Sequence, residues 1–67
     1  MLGFNQKTVE VELTHYQGDH CILVKAYDNI LAIFKDENDI QTYKGDECTY
    51  HELLRKLEMN GYKIKFL

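Results

Sequence analysis

Residues 15–21 read HYQGDHC and place His15, Asp19, His20 and Cys21 within seven positions. All four side-chain types bind transition metals, and a structural zinc site needs three or four of them to converge. The flanking residues argue against convergence. A two-residue turn at Gln17-Gly18, or a four-residue turn over 16–19, pairs Leu13 with Ile22, Val11 with Val24 and Val9 with Ala26. The same register sets Glu10 against Lys25, and opposite charges across a strand pair favour it. A three-residue loop would instead set Val11 against Lys25 and Glu12 against Val24. In the favoured register His15 and His20 lie opposite each other, while Cys21 points to the reverse face. Asp19 beside Gly18 is ordinary turn chemistry. The stretch therefore reads as a hairpin tip, with no metal ligand assigned.

Two further clusters invite the same question. Cys48 stands just before a helix start, where the macrodipole can lower a thiol pKa, and His51 is close in sequence. No third residue is placed to orient the imidazole, so a half-buried thiol beside a surface histidine is the expectation. Asp36, Glu37 and Asp39 suggest calcium, but the twelve-residue loop with its closing glutamate is missing. A solvated turn explains them. Neither a GxGxxG nor a Walker loop occurs, and the chain contains no serine. No catalytic or cofactor-binding residue is assigned, and no cofactor is expected.

Sixty-seven residues make a single α+β domain over residues 1–67, with residues 1–6 as a lead-in. A core of that size leaves little room for a substrate cleft and makes stability marginal. Hydrophobic residues are 45% and charged residues 28%, a composition that folds rather than stays disordered. The start carries no basic segment followed by an apolar run, Leu2 does not fit a myristoylation signal, and no apolar stretch approaches the ~20 residues that span a bilayer. The expectation is a cytoplasmic protein without membrane contact, with Cys21 and Cys48 reduced. Eleven acidic residues outweigh eight basic ones, and Arg55 is the single arginine. That balance opposes direct nucleic-acid binding.

The elements follow from periodicity. Residues 7–15 alternate strictly, with Val9, Val11 and Leu13 on one face and Glu10, Glu12 and Thr14 on the other, which predicts a strand with one wet face. Residues 20–27 form the second strand. Residues 30–35 are an apolar run covered on both faces, and residues 40–44 a weaker fourth strand, with GDE as a turn after it. Thr49 and Glu52 fit a capping box, and Tyr50, Leu53, Leu54 and Leu57 make one apolar helical stripe. Gly61 ends the helix, and a last strand turns Tyr62, Ile64 and Phe66 inward and Lys63 and Lys65 outward. The predicted order is β-β-β-β-α-β. The last strand is expected antiparallel beside the first, in spatial order 5-1-2-3-4, with a partly closed SH3-like barrel as the alternative.

One helix covers one face of such a sheet. The other face holds Leu23 and Tyr27 with either Leu31 and Ile33 or Ile30, Ala32 and Phe34. An apolar second face on so small a chain points to an interface. Leu23, Tyr27, Leu31 and Ile33 are the expected centre of a homodimer. Asp19 from the first turn and Asp36, Glu37 and Asp39 from the third gather at one end of the sheet, a negative surface for the basic face of another protein. The function expected is that of a small non-catalytic inhibitor or regulatory protein, occupying a basic surface that otherwise holds nucleic acid. A nucleic-acid-binding barrel using Lys56, Lys63, Lys65, Arg55 and surface tyrosines is the alternative.

Overall fold

The alternation that begins at Thr8 produces a long hairpin. A computed structural model describes residues 7–67, so the lead-in over 1–6 lies outside the described residues. Strand β1 is Thr8–Tyr16 and β2 is Asp19–Ala26. Gln17 and Gly18 join them with φ of 54° and 89°. Left-handed angles at both central positions match the twist of the flanking strands, and glycine takes the second at no steric cost. The register is the expected one: Leu13 faces Ile22, Val11 faces Val24, Val9 faces Ala26 and His15 faces His20. Lys25 stands opposite Glu10, yet its ammonium pairs diagonally with Glu12 at 3.4 Å. Diagonal neighbours are within reach of long side chains.

Strand β3, Asn29–Phe34, runs antiparallel to β2 after the tight turn at Tyr27-Asp28. Its pairing shifts by one residue: Val24 faces Ala32, but Lys25 faces Ile30. Leu31 is the extra residue of a β-bulge, and a one-residue slip exchanges the two faces. Neither apolar set expected for the second face is therefore assembled whole. Ala32 and Phe34 are buried in the core, Leu31 packs against its margin, and Ile33 faces Leu23 on the other side.

The largest departure begins at Lys44-Gly45. Here φ is 52° and 86°, repeating the Gln17-Gly18 turn. It joins β4, Gln41–Tyr43, to β5, Asp46–Cys48, as a separate two-stranded sheet. Residues read as a turn into the helix are thus a strand. That extra reversal inverts the direction in which the chain enters helix α1, Tyr50–Met59. Strand β6, Lys63–Phe66, consequently runs parallel to β1 and not antiparallel. The main sheet has the order β3-β2-β1-β6. The last strand does lie beside the first, but the fourth has left the sheet. Among the described residues β3 and β6 are both free edges, so their sheet is open and does not close into a barrel.

Helix α1 begins with the expected capping box. The Thr49 N–H donates to Glu52 Oε1 at 2.9 Å, and the Glu52 N–H donates to Thr49 Oγ1 at 3.4 Å. It ends at Gly61, φ 90°, where the Gly61 N–H reaches the Glu58 carbonyl and the Tyr62 N–H the Leu57 carbonyl, both at 3.0 Å. These two bonds make a Schellman cap. Leu53 and Leu57 are buried against Val9, Val11, Val24 and Phe34 in one core cluster, with Tyr50 and Leu54 half-buried at its edge.

Leu13 does not join that core: it is 77% exposed. Ten helical residues span about 15 Å, whereas the nine residues of β1 span about 30 Å, so α1 covers only part of the hairpin. Phe66, expected inward with Tyr62 and Ile64, is likewise 65% exposed. Those two neighbours are half-buried. Leu53→Ala and Leu57→Ala are each expected to cost about 2–5 kcal/mol in urea denaturation, and Thr49→Ala about 1 kcal/mol. Leu54→Ala should cost less than either buried leucine. Equal losses at Leu53 and Leu54 would place the helix in a different rotation.

Candidate functional site

The hairpin tip brings two of its ligand-type side chains together and disperses the rest. The His15 and His20 rings lie 4.2 Å apart between centroids, tilted by 46°. Asp19 pairs with Tyr16 one step nearer the turn, and Cys21 pairs with Thr14 one step further from it, on the opposite side of the sheet. Among the described residues no three His, Cys, Asp or Glu side chains form a group able to hold a metal ion.

Cys48 and His51 do not pair. The helix start places His51 on the exposed side, where Nε2 lies 3.5 Å from Glu37 Oε2 and the ring meets Tyr50 edge-on at 5.1 Å. Cys48 ends β5 inside the core at 2% exposure. Burial pushes its thiol above the ordinary value, Lys56 opposes, and Glu52 and Asp46 add to the rise. Desolvation is the largest cause, so these surroundings disfavour the thiolate. Cys21 is also a buried free thiol.

The acidic residues of the third turn are committed to the turn itself. Asp36 Oδ1 accepts from the Asn38 N–H at 2.8 Å, an Asx turn. Asp39 Oδ2 accepts from the Lys35 N–H and from Gln41 Nε2, both at 2.9 Å. The Lys35 amide, then the Gln41 amide, holds the Asp39 carboxyl below its ordinary value. Glu37 reaches across to the helix start through His51. Asp19 lies on the rim of a hollow of about 320 Å³ that it shares with His20, Cys21, Ile33, Lys35 and Gln41. The hollow sets Asp19 of the first turn near Lys35, whose N–H bonds to Asp39 of the third. The Glu37–His51 link has no signal in the sequence, because it depends on how the helix start is rotated.

The face of the sheet away from α1 is the other candidate. Leu23 and Ile33 face each other there and are half-buried. Ile30, 60% exposed, continues the patch beside Lys25. Tyr27 stands in the turn at φ 57°, 67% exposed. Gln17 and Lys44 take the same left-handed angle at the first position of their own two-residue turns, 54° and 52°, so the angle belongs to the hairpin. Nearer β6 the face becomes charged, with Glu10 of β1 opposite Lys65 and Thr8 opposite Lys63. Lys56, grouped with those lysines by sequence, is on the helix and pairs with Asp46 at 3.7 Å.

Among the described residues no helix is long and apolar enough to cross a membrane. Compared with known proteins, the chain matches no family model, no curated protein and no solved structure.

Two outcomes are expected. Cys21 and Cys48 should react slowly with DTNB in the native state and promptly in denaturant; prompt native labelling of Cys48 would show that its surroundings do not disfavour the thiolate. Asp39 and Glu52 both have depressed pKa values, the latter through the Thr49 amide first. Each contributes stability above its unfolded pKa that is lost as pH falls through the folded one. Acid titration below about pH 4.5 should therefore destabilise the wild type more steeply than Asp39→Asn or Glu52→Gln, measured by urea midpoints.

Proposed function

We propose that the chain is a non-catalytic protein-binding module of the inhibitor or regulatory kind, which engages its partner through the sheet face that α1 leaves bare. One observation carries this reading: among the described residues a single short helix covers one side of a four-stranded sheet, while Leu23, Ile33 and Ile30 mark the other. Apolar surface left uncovered in a chain of this size is interface material. The buried Cys48 and the two-histidine tip give no support to catalysis. A second copy of the chain is one such partner, since like patches pair most readily about a two-fold axis.

The acidic end adds direction to the encounter. Asp19, Asp36, Glu37 and Asp39 present negative charge on two neighbouring turns, which steers a basic protein surface toward the module and blocks nucleic acid from the same place. Asp36 and Asp39 also shape their own turn, and Asp36→Asn and Asp39→Asn keep one oxygen acceptor at each position while the charge is removed and the second oxygen becomes an NH2. The variant Asp36→Asn, Glu37→Gln, Asp39→Asn is expected to slow association with a basic partner recovered from the native host and to flatten its salt dependence. Sedimentation across micromolar concentrations should show a dimer for the wild type and a folded monomer for Leu23→Asp. A 7.9 kDa wild-type monomer throughout, with partner binding untouched by Leu23→Asp, would sink the assignment of that face.

A further inference from the structure

The outer edge of β6 has a different character from the bare face. The Lys63 N–H donates to the Lys7 carbonyl at 2.7 Å and the Leu67 N–H to the Val11 carbonyl at 2.9 Å. Backbone groups alternate along a strand, so Lys63 and Lys65 direct theirs to β1, and Ile64 and Phe66 direct theirs away. Sheet order ends at β6. The N–H and C=O of Ile64 and Phe66 thus form an open ladder, with no strand among the described residues to meet it.

The side chains beside that ladder are sorted by face. Ile64 and Phe66 lie on the α1 side, where they line a groove of about 560 Å³ with Leu54, Glu58, Gly61, Tyr62 and Lys63. Lys65 and Lys63 are exposed, and no ion pair engages either among the described residues, although Glu10 faces Lys65 across the pair. The inner edge of β6 already displays what fits this pattern. There β1 sets Val9 against Ile64, Val11 against Phe66 and Glu10 against Lys65.

We propose that the outer edge of β6 accepts an extended segment of another protein in which apolar and acidic residues alternate. Its backbone completes the ladder, its apolar side chains enter the groove beside Leu54, Ile64 and Phe66, and its carboxylates meet Lys63 and Lys65. Strand addition of this kind takes affinity from main-chain hydrogen bonds and specificity from alternate side chains. Glu58 in the groove repels a carboxylate on that side, which fixes the register to one of the two alternations. Lysines on an edge also discourage indiscriminate strand pairing. An acidic strand is the class they admit.

The probes are a fluorescein-labelled peptide of alternating Val and Glu, its Val–Lys counterpart, and a Val–Glu peptide N-methylated on alternate amides. Fluorescence anisotropy should show binding of the first alone to the wild-type chain. Lys63→Glu with Lys65→Glu should weaken it about tenfold or more, since two cross-strand charge pairs become repulsive, and should admit the Val–Lys peptide instead. Lys63→Gln with Lys65→Gln serves should the reversed variant not fold by circular dichroism, and there the Val–Glu affinity should still fall. Hydrogen exchange at the Ile64 and Phe66 amides should slow on Val–Glu binding. Absence of binding at millimolar peptide, equal affinity in the glutamine variant, equal binding of the N-methylated peptide, or protection confined to β3 would each overturn the proposal. Lys63 and Lys65 lie on the β6 margin of the bare face and Leu23, Ile30 and Ile33 on β2 and β3, so sedimentation of the lysine variants separates the two tests: a dimer retained while Val–Glu binding is lost assigns that binding to the β6 edge.

Discussion

Leu53 and Leu57, packed with Phe34, Val9 and Val24 in one cluster, are the contacts that join a short helix to a sheet longer than itself. The rest of the structure depends on that attachment. The capping box and the Schellman cap make ten residues of helix persist where isolated helices of that length are marginal. The reach of that helix then decides what stays wet. Leu13 beyond its end and Phe66 beside it stay exposed, and on the reverse face Ile30 is exposed while Leu23 and Ile33 are half-buried.

The elements legible in the sequence are those governed by local rules. Strict alternation from Thr8 and the Gln-Gly turn determine the β1–β2 register, because a one-residue slip would reverse every side chain. The capping residues and the leucine stripe locate α1 to within its ends. Lys44-Gly45 has the same form as Gln17-Gly18 and is legible in principle. The strand behind it is hidden because Asp46, Glu47 and Cys48 have weak strand propensity. Missing one reversal is enough to invert β6.

The bulge at Leu31 has no local signature. A run of apolar residues carries no alternation to show which side each member takes, so only pairing with β2 resolves the faces of Ile30, Leu31 and Ile33. Site chemistry is illegible for a related reason. Cys48 and His51 are close in sequence, but the start of a helix sends neighbouring side chains in different directions, one into the core and one toward Glu37. The acidic turn looks like free charge, yet two of its carboxylates are occupied by backbone amides, which is how short polar side chains commonly act in turns.

The parallel placement of β6 has a consequence for how the chain orders itself in time. Strands β1, β2 and β3 are joined by two-residue turns, so their pairing closes small loops and can proceed on the microsecond scale of hairpins. Joining β6 to β1 brings Lys63 to Thr8 and closes a loop nearly as long as the described chain, with a correspondingly larger entropy cost. The central strand therefore has one fast neighbour and one slow one. Until the slow one arrives, the alternating valines and glutamates of β1 remain an open template, and the fidelity of folding rests on β6 reaching them before a strand from another molecule does.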